Sequence, residues 1–118
     1  GAALNEGDYL YTDPATGRQV EPSSVSFDLV VPADTVFVMG DHRNDSADSR
    51  CHLSDDTDGA PAGSKAFIPV GNIVGTAIAV VYPFDRFHGI SRPRTFENVP
   101  AGGTPPAAPV LTGPKVVC

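Results

Sequence analysis

The chain has 118 residues and a formal net charge of −6, with twelve glycines, twelve prolines and no tryptophan. That length holds one small domain or part of a larger one; the Gly and Pro content disfavours a helix bundle and favours strands, turns and loops; and no segment approaches the roughly 20 apolar residues of a membrane span. Residues 28–58 carry eight Asp and two Arg while acids and bases elsewhere balance, so the surplus sits in one central region that would repel nucleic acid or an anionic membrane surface. The sequence begins at Gly1 with neither an initiator methionine nor a signal-peptide pattern, which reads as an internal cut in a longer protein.

Residues 1–24 read as an irregular lead-in, with turn signals at Glu6-Gly7-Asp8 and at Asp13-Pro14-Ala15-Thr16-Gly17. Val25 to Val31 alternates apolar and polar residues and then becomes fully apolar, a strand pattern. After the short turn Pro32-Ala33-Asp34, Thr35 to Met39 is a second strand rich in β-branched and aromatic residues. Two strands so closely joined predict a hairpin. Residues 51–66 read as a polar loop, and Ile73 to Tyr82, the longest apolar run, as a buried strand ended by Pro83. Arg86, Arg92 and Arg94 interleave with Phe84, Phe87 and Phe96 but follow no RNA-binding motif, so surface and C-terminal packing is the expected role. Residues 98–118, with five prolines, three glycines and no acid, have the composition of an extended tail. The expected division is therefore a mainly β body over 1–97 and a Pro/Gly-rich tail over 98–118.

The second strand runs straight into Met39-Gly40-Asp41-His42-Arg43-Asn44-Asp45-Ser46-Ala47-Asp48-Ser49-Arg50, twelve residues with five charges, two serines and one glycine. In extended backbone, residues two apart point to the same side, so Asp41 and Asp48 each have a cation available, Arg43 and Arg50. Ser46 stands between the pairs as a neutral hydroxyl able to donate and accept hydrogen bonds. On these residues alone the stretch is a polar turn stapled by two ion pairs, each worth little at a surface.

The same stretch closely resembles the last conserved block of type I signal peptidases, which reads Gly-Asp-Asn-Arg, a short spacer, then Ser-x-Asp-Ser-Arg. His42 stands where the asparagine is usual, and its imidazole would add a positive charge in acid. Looser similarity extends over about residues 4–90, including the strand ending in Gly75-Thr76-Ala77 to Tyr82-Pro83, where Thr76 replaces a lysine. The resemblance implies the mainly β signal-peptidase fold, with antiparallel strands, long loops and the Pro-rich tail. It implies a Ser/Lys-dyad endopeptidase that removes signal peptides from exported precursors, without metal or organic cofactor, and without nucleic acid as a partner. A membrane anchor outside this chain would hold the catalytic domain at the extracytoplasmic face of the cell membrane.

In such an enzyme a neutral lysine amine is the general base for the serine hydroxyl. Its pKa must fall from about 10.4 toward the working pH. The wall facing it must therefore be apolar or neutral, with nearby acids paired elsewhere. By resemblance, Met39 and Gly40 flank the lysine and Ser46 orients its amine. Asp48 and Arg50 form a buried ion pair that holds the segment, Asp41 pairs with a cation near the lysine, and Arg43 is structural. The nucleophile and the lysine lie upstream of this block in the family, whereas Lys65 and Lys115 follow it, so residues 1–97 are expected to be the C-terminal part of the catalytic domain, inactive by itself. The rival reading is a non-catalytic extracytoplasmic β domain acting as a binding or scaffold module; a Ser/Lys peptidase for a different precursor is a third.

The remaining candidates carry less. Ser54, Asp56, Asp58 and Gly59 fall at EF-hand positions 1, 3, 5 and 6, but position 12 is Lys65 and no helices flank the loop, which excludes that motif. Asn44-Asp45-Ser46 is a chance glycosylation sequon, since a glycan there would occlude the proposed groove. Cys51 and Cys118 permit one disulfide outside the cytoplasm, but their spacing does not demand it.

Overall fold

The computed structural model describes residues 3–118. Its strands are short and antiparallel and fall into three two-stranded sheets. β1 (Leu29–Val30) pairs with β6 (Val110–Leu111), β2 (Thr35–Val36) with β3 (Ile68–Pro69), and β4 (Ala79–Val80) with β5 (His88–Gly89). The helical segments are single 3-10 turns, including Ser49–His52, Ser64–Ala66 and Arg94–Asn98. The fold is mainly β with long loops, as expected for a Gly- and Pro-rich chain.

The core gathers Leu53, Ala66, Phe67 and Val116, ringed by Val25, Phe27, Leu29, Val31, Phe37 and Leu111. The alternation of Val25, Phe27, Leu29 and Val31 is thus expressed in packing, because every second side chain of an extended chain faces the same way. Phe37 lies between Phe27 and Phe67, with ring centroids 5.5 and 5.7 Å apart. The C-terminal residues return to this core as a strap. Pro106 O accepts from the Ala33 N–H (2.8 Å), Leu111 packs against Gly63, Val116 is only 4% exposed, and Cys118 is bridged to Cys51 with Cα atoms 5.3 Å apart.

Two expectations are corrected. β1 and β2 do not form a hairpin. Pro32 supplies no N–H for a ladder, the Ala33 N–H is used by Pro106, and Asp34 takes a left-handed conformation (φ 56°) that sends the chain to a different partner, β3. Nor is Ile73 to Tyr82 a buried strand. Only Ala79–Val80 pairs, and Ile78 and Tyr82 are 78% and 75% exposed. β-branched content favours extended backbone, but burial requires a second surface to cover it, and none of the described residues covers this arm. The molecule measures 48 × 28 × 28 Å with a radius of gyration of 16.1 Å, against roughly 13 Å for a compact chain of this length.

Candidate functional site

The polar block begins where β2 ends. Beyond the strand, Val38 is held by a single residue standing in for a partner strand. The Val38 N–H donates to Ser49 Oγ (3.0 Å) and the Ser49 N–H donates back to Val38 O (3.2 Å). This closes residues 38–49 into a loop that turns on itself, with Ser49 and Arg50 buried beneath it.

Asp48 is the centre of the loop. It caps the 3-10 turn Ser49–His52, its Oδ1 accepting from the Arg50 N–H (3.1 Å). The Arg50 guanidinium forks onto the same carboxylate, Nε to Oδ1 at 2.8 Å and a terminal nitrogen to Oδ2 at 2.7 Å. The Gly40 N–H donates to Oδ2 at 2.8 Å. Burial by itself raises the Asp48 carboxyl, but the bonds from Arg50, the backbone N–H groups of Gly40 and Arg50, and the Ser46 hydroxyl together hold it well below the usual carboxylate range. The Arg50 side chain is 2% exposed, so this is a charge-assisted bidentate pair shielded from water.

Gly40 and Ser46 meet face to face. A Cβ built on Gly40 would lie 2.8 Å from Ser46 Cβ and closer still to its Oγ, so only glycine allows this approach. Met39 and Ser46 are half-buried beside it, and Asp41 is exposed. Arg43 does not pair with Asp41. It is buried against Glu6, Pro22 O and Gly40 O, its Nε donating to the last at 3.1 Å. The hydrogen bond from Arg43 is the largest influence on the Glu6 carboxyl and brings it below its ordinary value, with Tyr9 Oη donating to Glu6 at 2.6 Å as well. Of the two ion pairs that the spacing suggests, Asp48–Arg50 forms and Asp41–Arg43 does not, because position 41 faces outward while its carbonyl accepts from the Tyr11 N–H (3.1 Å). The His42 ring lies against Tyr11 with centroids 3.9 Å apart.

Glu6 and Ser49 are the residues that sequence reasoning missed. Glu6 stands 37 positions before Arg43, and nothing local marks it. Ser49 lies inside the motif, but its bonds to Val38, eleven positions earlier, follow from the folded loop and not from any local pattern. Elsewhere, Ser64 and Lys65 make no dyad, since the Ser64 hydroxyl donates to Pro61 O (2.6 Å) and Lys65 Nζ reaches Asp58 at 3.5 Å. No group of three metal-ligating side chains gathers among the described residues.

The profile of the family described as "Signal peptidase, peptidase S26" matches residues 5–82, which include the whole loop just described. The chain belongs to this signal peptidase family. Among its relatives are the probable signal peptidase I of Mycobacterium leprae (strain TN), 37% identical over 86 residues, and the signal peptidase I of Mycobacterium tuberculosis (strain CDC 1551 / Oshkosh), 39% identical over 84 residues. These alignments take in 69% and 65% of this chain but 28% and 27% of the relatives, so the chain spans little more than a quarter of their length. No solved structure matches it significantly. Within the S26 family, then, this chain contributes a glycine-floored loop with one hydroxyl above a neutralised carboxylate.

Proposed function

We propose that the chain is part of the catalytic domain of a signal peptidase I, a membrane-anchored Ser/Lys endopeptidase that cleaves signal peptides from exported precursors on the extracytoplasmic side. The nucleophilic serine and the lysine base come from the rest of the full-length protein, and residues 39–50 form the wall against which the lysine amine is oriented. The observation that carries this reading is the Gly40–Ser46–Asp48–Arg50 arrangement. A carboxylate facing the lysine would hold its proton and abolish its basicity. Here Arg50 and two backbone N–H groups occupy the Asp48 carboxylate. The Ser46 hydroxyl, which helps to lower the Asp48 carboxyl, has oxygen lone pairs that can accept an amine N–H. The amine lone pair is then left to take the nucleophile's proton. Asp41, Arg43 and Met39 complete the wall as a solvent-facing acid, a buried brace and an apolar flank. The chemistry needs no metal or organic cofactor. We also assign residues 1–97 to the catalytic domain and 98–118 to the tail that straps it.

Ser46→Ala in the full-length enzyme tests this. Cleavage of a precursor should fall at least roughly tenfold in kcat, the range of a lost positioning contact in base catalysis, with the circular dichroism spectrum unchanged. Undiminished cleavage by the folded variant overturns the role of Ser46. The apolar arm gives the scaffold reading its one support, since exposed patches of this kind mark interaction surfaces. Loss of precursor cleavage on substitution of the full-length protein's own serine and lysine decides against that reading.

A further inference from the structure

The strap and the polar block meet at one place. A cavity of about 280 Å³ is lined by Arg43, Ser46 and Arg50 of the block, by Val117 of the strap and by both cysteines of the Cys51–Cys118 bridge. Cys51 belongs to the 3-10 turn that Asp48 caps, its N–H donating to Asp48 O at 2.9 Å. Its sulfur lies 3.8 Å from the Ser46 carbonyl oxygen. At the other end, Cys118 is exposed to solvent while Val116, two residues before it, is sunk in the core. Cys118, an exposed residue, is therefore covalently tied to the segment that presents Ser46.

We propose that the Cys51–Cys118 bridge positions the Ser46 segment and makes it redox-responsive: reduction by a dithiol frees the strap from residue 117 on, loosens residues 40–51 and lowers turnover. The step is a two-electron exchange. A thiolate of the dithiol attacks the Cys118 sulfur, expelling the Cys51 thiolate, and the second thiolate resolves the mixed disulfide, releasing the Cys118 thiolate. The products are two cysteine thiols and the cyclic disulfide of the reductant. The Arg43–Glu6 pair ties the block to the lead-in without passing through the bridge, so the lead-in should keep its protection and the effect should stay local to the block. The consequence for turnover rests on the proposed peptidase activity; the loosening of the block does not.

The test has two arms. In the first, amide hydrogen exchange is followed on the 118-residue chain with and without dithiothreitol. The amides of Gly40, Ser49, Arg50 and Cys51 should exchange about tenfold or more faster after reduction, as expected of a local opening. The Val20 and Val70 amides, which bond to Tyr11 O and Asp34 O, should be unaffected. Cys118→Ser should show the fast pattern under both conditions. Equal protection of the block in the oxidised and reduced chain overturns the proposal, as does loss of protection everywhere, which would make the bridge a general staple. In the second arm, dithiothreitol should lower kcat of the full-length enzyme roughly tenfold, the scale of a small misplacement of a positioning group, with KM held. The Cys118→Ser enzyme should have that low kcat with or without reductant. A loosened block with unchanged kcat also overturns the proposal. An oxidised full-length protein without any peptidase activity refutes the proposed function instead, and the exchange result still decides whether the bridge controls the block.

Discussion

Gly40 and Ser46 share a space that admits no further carbon, and that fact makes a residue-scale prediction. Gly40→Ala must push its new Cβ into Ser46 Cβ at 2.8 Å. Either the Ser46 segment retreats or the Gly40 N–H leaves Asp48 Oδ2. Overpacking of this kind costs about 1–3 kcal/mol, and in the full-length enzyme the displaced hydroxyl should lose activity to the same degree as Ser46→Ala. Gly40→Ala/Ser46→Gly removes the obstacle and should recover the urea midpoint but not the precursor cleavage, because space returns and the hydroxyl does not. A Gly40→Ala protein with an unaltered urea midpoint would show that the two residues are not in tight apposition. Glu6 contributes differently. It neutralises Arg43 from outside the block, so its role is to keep a buried guanidinium compensated.

At the scale of elements, the strap and the arm reverse what their compositions suggest. A segment with five prolines and three glycines inserts Val116 into the core, while the longest apolar run lies open. The equilibrium unfolding of two variants separates them. Phe67→Ala empties a site in the core cluster and should cost roughly 3–5 kcal/mol, whereas Ile78→Ser removes a side chain already 78% exposed and should stay within about 0.5 kcal/mol of the parent. A large loss for Ile78→Ser in the 118-residue chain would mean that the arm is covered in solution. The same contrast explains what is legible in the sequence. The alternation of Val25, Phe27, Leu29 and Val31 is readable because a period of two is a local property of extended chain. The partners of β1 and β2 are not, because β6 and β3 lie far along the chain and the turn at Pro32 and Asp34 only determines that the neighbouring strand is refused. In the block, Asp48–Arg50 is legible from a spacing of two and Arg43–Glu6 is not. The burial of Ile73 to Tyr82 fails for a third reason, since apolar pattern reports a preference for cover and says nothing of what supplies it.

For the whole molecule, the −6 charge and the two internal ion pairs make opposite demands on pH. Acid relieves repulsion among the exposed acids of the central region, but such charges are screened beyond a Debye length of about 8 Å at physiological salt. The Asp48–Arg50 and Glu6–Arg43 pairs are shielded by burial and should dominate. Both carboxyls lie below their ordinary values in the folded chain. The unfolded chain therefore binds more protons as pH drops through the carboxylate range of roughly 4. The stability these pairs supply is complete above that range and is lost as pH falls through it toward the lower folded values. Urea midpoints between pH 7 and pH 2 should accordingly be flat at the neutral end and decline below about pH 4. Asp48→Asn isolates one contribution. It should be less stable than the parent at pH 7, because Arg50 keeps its charge at 2% exposure and loses its counter-ion, a change that costs about 3–5 kcal/mol when a buried pair is broken. As the pH drops below about 4 the parent loses the same advantage by protonation, so the two curves must converge. Parallel curves down to pH 2 would show that Asp48 contributes through its shape and hydrogen bonds alone, and that the charge held beneath Ser46 is not what stabilises the loop.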